Sequence, residues 1–360
     1  MSERPIVFAG GGTGGHVFPG LAVARALRER VPEHPIEWIG TAGGLEERLV
    51  PRAGFPLRVL PLAGAARRGA LQKLRAAVLA LAGTFRCAWR FAGRRPVLLV
   101  GVGGFASGPA VLAALLLGVP TLLLEQNAFP GATNRMLSRF ADATAVAFAE
   151  AGEHLAGRVV VTGNPVRPEI LAIAPRVERP VRRVLAFGGS RGAHSLNEAW
   201  CEAVPRLADL PLELTLQTGP DDHGRVVRAL ADAPLRCEIR PFLDDLPRRL
   251  ADADLVVSRA GATTVAELTA AGRAAILVPY PHAAGDHQRA NARTLAAHGA
   301  AVVIDPLELT GEHLADTVRR LVLDPARVQR MAEAARALGR RDATGRVVEL
   351  ALGILPGRTR

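Results

Sequence analysis

The sequence predicts an α/β protein of two doubly wound domains, each a parallel sheet with helices on both faces, and three observations lead there. Short Val/Ile/Leu runs alternate with helix-period segments along the whole chain. Those runs are continuously apolar, as strands buried on both faces must be. Glycine-rich turns follow four of them, where such a sheet presents its carboxyl edge. The length, 360 residues, suits two domains of ordinary size.

In chain order, residues 5–9 (PIVFA) form a strand that runs into the glycine loop 10–15, after which Leu21, Ala24 and Leu27 mark one helix face. Strand runs recur at 36–39, 97–100, 121–124 and 143–148. The long apolar run 109–124 is broken by Gly118 and Pro120, so it reads as helix, turn and strand and not as a membrane span. Residues 163–169 (GNPVRPE), with prolines continuing to Pro180, read as a linker. The pattern restarts at 184–187, 212–217, 238–241, 255–258, 275–278 and 301–304. The expected domains are 1–163 and 164–342, with a terminal helix over about 343–357 packing back on the first.

With 49% hydrophobic and 22% charged residues the chain reads as soluble and globular. Cys87, Cys201 and Cys237 lie far apart without C-x-x-C spacing, which argues against a disulfide framework and for a reducing cytosol. The first apolar run is too short for a signal peptide. The formal charge of +11 rests on arginine, Lys73 being the only lysine, and calls for an anionic substrate, an anionic membrane or nucleic acid. Nucleic acid is the weakest of these, since the chain has no zinc-finger spacing, no RNP motif and 4% aromatics.

The four glycine turns are 10–15, 101–109, 188–192 and 259–264. Each sets backbone N–H groups at a helix N-terminus, where anions are stabilised, although one such turn alone can be an ordinary tight turn. Gly10, Gly12 and Gly15 match G-x-G-x-x-G, yet a dinucleotide site wants an acid at the end of the second strand. Here that strand ends Ile39-Gly-Thr-Ala-Gly-Gly, and the first acids are Glu46 and Glu47. A phosphate site therefore fits better than a nicotinamide site. His16 closes the loop, as a cap, a packing residue or a base. Glu125, Gln126 and Asn127 end an apolar strand abruptly, either as a solvated strand end or as part of a site. Glu267 lies one turn into a helix that begins near Thr263, as dipole compensation or as a partner for a ribose diol. No D-x-D pair or spaced His/Cys set indicates a metal.

Taken in order, GGTGGHVFPGLAVA (11–24), GGFASGPA (103–110), EQNAFPGATNR (125–135), GNPVR (163–167), GGSRGAHSLN (188–197), RAGATTVAEL (259–268) and DHQRANA (286–292) resemble the MurG family. Its members are bacterial transferases that move N-acetylglucosamine (GlcNAc) from UDP-GlcNAc to lipid-linked N-acetylmuramoyl (MurNAc) pentapeptide, in peptidoglycan synthesis. The resemblance implies a GT-B fold, two Rossmann-like domains facing across a cleft with UDP mainly on the second. It implies inverting transfer to the MurNAc 4-hydroxyl, forming a β-1,4 bond. It assigns donor binding to Thr13, Gly14, Gly15, Asn127, Arg167, Ser190, Leu243, Ala262, Thr263, Thr264, Val265, Ala266, Glu267 and Gln288. Gly103, Gly104 and Ser107 fall on the acceptor or diphosphate loops. His16 is the first choice for general base and Glu125 the second. No cofactor or metal is implied, and Phe105 stands where some members carry tyrosine.

The implied partners are UDP-GlcNAc, the lipid-linked acceptor, an anionic membrane surface and cell-wall or division proteins, with the enzyme peripheral on the cytoplasmic face of the inner membrane. A candidate dock is residues 64–95, where Leu71, Leu74, Val78, Leu81, Phe85 and Trp89 recur at helical spacing. Arg67, Arg68, Lys73, Arg75, Arg86, Arg90, Arg94 and Arg95 flank that stripe. The alternative is a core-facing stripe with a solvated basic face. Competing functions are a GT-B transferase acting on diacylglycerol, a sugar-nucleotide epimerase, and an inactive UDP-sugar-binding scaffold.

Overall fold

A computed structural model describes residues 4–61, 70–104, 107–281, 283 and 286–356, with side chains left out for 70–74. Phe105, Gly285, residues 64–69 and the side chains of Leu71, Lys73 and Leu74 thus lie outside the described residues. The chain divides into two compact units, Met1–Arg167 with Asp342–Arg360, and Pro168–Arg341. Arg167, on the second-domain side of the expected boundary, belongs to the first unit.

The first unit is built on β1 (Ile6–Gly10), β2 (Ile36–Thr41), β3 (Leu57–Leu60), β4 (Leu98–Gly103), β5 (Thr121–Glu125), β6 (Ala143–Val146) and β7 (Val159–Val161). All pair in parallel, in the order β3-β2-β1-β4-β5-β6-β7. The order reverses between β1 and β4, the switch point at which doubly wound folds open a crevice. Its helices are α1 (Gly14–Arg30), α2 (Glu46–Arg52), α3 (Ala70–Gly93), α4 (Ser107–Leu116) and α5 (Ala132–Leu137). Ile6, Phe8, Leu98 and Leu122 have no exposed surface, and Phe8 stacks on Trp38 with ring centroids 5.2 Å apart. Gly20 lets α1 lie on that layer, since a Cβ there would stand 2.6 Å from Trp38 Cη2. The edge strands β3 and β7 were not singled out from the sequence; both are partly exposed, and Arg58 interrupts the apolar run of β3.

The second unit begins with α6 (Pro168–Leu171) and carries β8 (Arg183–Phe187), β9 (Glu213–Gln217), β10 (Arg236–Arg240), β11 (Leu255–Ser258), β12 (Ala275–Leu277) and β13 (Ala301–Val303). These strands are again all parallel, in the order β10-β9-β8-β11-β12-β13, with the switch between β8 and β11. The covering helices are α7 (His194–Arg206), α8 (His223–Ala229), α9 (Leu246–Asp252), α10 (Ala262–Ala271), α11 (His287–Ala297), α12 (Gly311–Val322) and α13 (Pro325–Leu338). Trp200, Leu196 and Leu207 of the α7 segment fill the core between sheet and helices.

The last helix, α14 (Ala343–Ile354), belongs to the first unit. Val347, Val348 and Ala351 join the core that holds Leu27 of α1, and Arg30 pairs with Glu349 at 2.8 Å.

Candidate active site

The carboxyl edge of the first sheet is built from two glycine loops that interlock through backbone. Gly11 N–H donates to the Gly103 carbonyl at 3.2 Å, and a Cβ on Gly104 would overlap the Gly11 carbonyl. Gly103 and Gly104 hold φ of +91° and +80°, a region that costs other residues strain. This contact sets α1 at its start, and His16 falls in its first turn. His16 Nδ1 lies 3.2 Å from the Gly11 carbonyl and 3.4 Å from Thr13 Oγ1. A carbonyl can only accept, so the geometry assigns the proton to Nδ1 and leaves Nε2 with its lone pair. The residue is half-buried, with protein packed closely around its ring. That burial lowers its pKa, against the opposing pull of Glu125, the Gly11 carbonyl and Glu46. The result is a neutral imidazole with one basic nitrogen.

Glu125, at the end of β5, is 4% exposed and its carboxylate is fully engaged. One oxygen accepts from Asn127 N–H at 2.9 Å and from Asn127 Nδ2 at 3.2 Å. The other accepts from Gly131 N–H and Asn134 Nδ2, both at 2.9 Å. Glu125 thus organises the turn from Asn127 into α5, and proton transfer would require those bonds to break. Gln126 Nε2 donates to the Val102 carbonyl at 3.2 Å, joining this turn to the second loop. Ser107 is fully buried at the start of α4. Arg167 stacks its guanidinium over the Phe18 ring, 4.2 Å from the centroid.

In the second unit, the loop after β8 carries Ser190, and the loop after β11 leads directly into α10 with Gly261 at its N-cap. The first turns of α10 run through Ala262, Thr263, Thr264, Val265 and Ala266 to Glu267, which is 5% exposed. Buried polar side chains fix these loops. Gln217 Nε2 donates to the Gly189 carbonyl at 2.8 Å, and Asn291 Nδ2 to the Ala260 carbonyl at 3.0 Å. Arg259 donates to the carbonyls of Val278 and Pro279 and to Ser195 Oγ, tying β11, β12 and α7 together. Gln288 accepts from Tyr280 N–H at 2.9 Å, and Leu243 is buried after β10.

The structure therefore groups the expected residues by unit. Thr13, Gly14, Gly15, His16, Gly103, Gly104, Ser107, Glu125, Asn127 and Arg167 belong to the first, and Ser190, Leu243, Ala262, Thr263, Thr264, Val265, Ala266, Glu267 and Gln288 to the second. Arg259, Gln217, Asn291 and Glu46 were missed as supports of these loops. Arg259 and Asn291 sit inside quoted motifs, but only the fold reveals that they hold neighbouring carbonyls. On α3 the stripe faces outward: Val78, Leu81, Phe85 and Trp89 are 57%, 66%, 71% and 77% exposed, while Cys87 and Phe91 on the opposite face are buried. The core-facing alternative is thereby corrected for these four residues, because the helix packs through its other side. Arg90 and Arg94 pair with Glu37, and Arg95 donates to the Leu117 and Gly118 carbonyls, while Arg75, Arg86 and Arg95 are exposed.

Comparison with known proteins fits both units. The glycosyltransferase family 28 N-terminal domain matches residues 6–146, and the family 28 C-terminal domain matches residues 183–347. The chain is 46% identical over 353 residues to the UDP-N-acetylglucosamine--N-acetylmuramyl-(pentapeptide) pyrophosphoryl-undecaprenol N-acetylglucosamine transferase of Anaeromyxobacter sp. (strain Fw109-5), covering 96% of this chain and 92% of that relative. The crystal structure of Acinetobacter baumannii MurG matches at a TM-score of 0.75 and 34% identity, covering 97% of this chain and 99% of that one. CalG4, the calicheamicin glycosyltransferase, matches at a TM-score of 0.70 and 19% identity over the full length of both chains, a likeness of fold alone. Two doubly wound units of this kind make the fold GT-B, the architecture of a nucleotide-sugar glycosyltransferase. The chain belongs to glycosyltransferase family 28 and, within it, to the MurG family.

The four bonds at Glu125 generate a stability prediction. Glu125→Gln turns one acceptor oxygen into a donor that faces existing donors, which costs about 1–3 kcal/mol. Urea unfolding should show that loss, and hydrogen exchange at the Gly131 amide should accelerate. Unchanged stability and exchange would mean that the carboxylate does not hold this turn.

Proposed function

We propose a direct inverting transfer in which His16 Nε2 takes the proton of the MurNAc 4-hydroxyl as that oxygen attacks the anomeric carbon of GlcNAc. The bond to UDP breaks with its electron pair leaving on the diphosphate, and a β-1,4 disaccharide forms on the lipid carrier. Transfer from UDP-GlcNAc to pyrophosphoryl-undecaprenol-linked MurNAc-pentapeptide follows from membership of the MurG family, carried by 46% identity across nearly the whole chain. The observation that favours His16 over Glu125 is the contrast between a basic ring nitrogen and a carboxylate already accepting four hydrogen bonds.

In this reading the donor's diphosphate rests on the second unit, at the N-termini of α7 and α10. One helix N-terminus supplies roughly 0.3–2 kcal/mol to an anion, so several donors act together, with Ser190 among them. In this reading these donors stabilise the leaving diphosphate without a metal. The direct test is incubation with radiolabelled UDP-GlcNAc and the lipid-linked acceptor, with diacylglycerol as control. Label appearing in the diacylglycerol and not in lipid-linked disaccharide would overturn the acceptor assignment.

Anchoring of the acceptor in a membrane requires the enzyme to reach that surface. Among the described residues no helix is long and apolar enough to cross a membrane. We place the protein peripherally on the cytoplasmic face of the inner membrane, docked through Val78, Leu81, Phe85 and Trp89 of α3 with Arg75 and Arg86 beside them. Apolar insertion and attraction to anionic lipid, about 1 kcal/mol per basic residue near the surface, combine in such binding.

His16→Ala should lower kcat by about 10²–10⁴ with the donor KM nearly unchanged, the usual range for loss of a general base. Because burial disfavours the imidazolium, neutral His16 persists below the pH at which free imidazole protonates. The acidic limb of kcat/KM should therefore fall below about pH 6.5 in the wild type and vanish in His16→Ala. Glu267→Ala should raise the donor KM roughly 10- to 100-fold, as expected when a charged hydrogen bond to the ribose is removed. Phe85→Ser with Trp89→Ser should abolish co-sedimentation with phosphatidylglycerol vesicles, whereas persistence at wild-type strength would rule out α3 as the dock.

A further inference from the structure

The first glycine loop already contains an anion, and it is a side chain. Glu46, the first residue of α2, has no exposed surface. Its Oε2 accepts from Gly12 N–H at 2.6 Å. Its Oε1 accepts from Thr41 N–H at 2.9 Å and from Thr41 Oγ1 at 3.0 Å. Three glycines make room for this carboxylate, since a Cβ on Gly11, Gly40 or Gly44 would collide with the Glu46 side chain. The sequence therefore spends bare positions at the ends of two strands to seat one buried acid.

In a doubly wound fold the N–H groups of this first turn face a bound phosphate. Here the Gly12 N–H is turned to Glu46 instead. The same peptide run carries the Gly11 carbonyl, which holds His16 Nδ1, and the Gly11 N–H, which is pinned to Gly103. Glu46 thus fixes one side of the loop while the second glycine loop fixes the other, and His16 is mounted between them.

We propose that Glu46 is a positioning residue for the transfer: its carboxylate takes the place of a phosphate in the first glycine loop and locks that loop so that His16 presents Nε2 to the acceptor. The loop is then a mount for the base. Glu125 and Glu46 both act electrostatically on His16, and Glu46 also bonds the loop that carries it. This inference rests on the reading of His16 as base.

The test uses the full-length protein with UDP-GlcNAc and lipid-linked acceptor. Glu46→Ala should lower kcat roughly 10²-fold, the scale expected when a catalytic group is displaced by about an ångström, while the donor KM stays within about threefold of wild type. Sodium formate should restore part of that kcat saturably by occupying the vacated place, and sodium chloride at equal ionic strength should not. Thr41→Val, which removes one of the three donors and keeps the carboxylate, should lower kcat by about 3- to 10-fold and serves if Glu46→Ala fails to fold. A folded Glu46→Ala with wild-type kcat, formate acting no better than chloride, or Thr41→Val turning over like wild type overturns the inference. If instead His16→Ala retains full kcat, the reading of His16 as base fails, separately from the packing role of Glu46.

Discussion

Because every strand in both sheets runs the same way, the carbonyl ends of the strands and the N-termini of the following helices collect at one edge of each unit. That polarity is the constraint on which the rest of the structure depends. It places the 10–15 and 103–104 loops side by side in the first unit, and the 188–192 and 259–264 loops side by side in the second. A switch in strand order opens each pair, so helix termini, with their N–H groups and positive dipole ends, face open space where a ligand can lie. Chemistry is then a matter of which side chains line each edge. The first edge has an imidazole and two carboxylates, and the second has helix termini with hydroxyl, amide and carboxylate groups.

Loops of such bare glycine need to be held, and buried polar groups hold them. Glu125 gathers four donors around the turn after β5, and Glu46 gathers one from the turn after β1 and two from Thr41 at the end of β2. In the second unit Gln217, Asn291 and Arg259 grip loop carbonyls directly. Each of these groups is costly to bury unless its bonding capacity is used, so each specifies one loop conformation.

The same logic modifies the meaning of the chain's +11 charge. Much of the arginine serves the fold. Arg273 is buried and donates to the carbonyls of Leu250 and Ala251 near the end of α9 and of Ala271 and Gly272 at the end of α10, and burial lowers its pKa to about 10. Arg341 bonds the Ala270 and Leu171 carbonyls, and Arg179 pairs with buried Asp254. These guanidinium groups satisfy carbonyls that the last turns of helices leave without partners. A net charge counted from the sequence therefore overstates what is offered to lipid or substrate.

Periodicity carried most of the architecture. Continuous apolar runs gave the buried strands, because a strand covered on both faces has no polar side to interrupt it. It failed at β3 and β7, where an edge strand is half exposed and its pattern weakens. Ordered motifs identified the family, and they marked His16, Glu125 and Glu267 as chemical candidates. Spacing along the chain could not separate the roles of those candidates. That Glu125 is saturated, that Nδ1 of His16 is tied to a carbonyl, and that the stripe on α3 faces outward all depend on the folded geometry of the turns and the packing of the helix, which spacing along the chain does not give. Glu46 shows the limit most directly. In the sequence it is an acid at the wrong place for a ribose, and only the approach of the distant Gly11 and Gly12 to its carboxylate makes it part of the loop that carries His16.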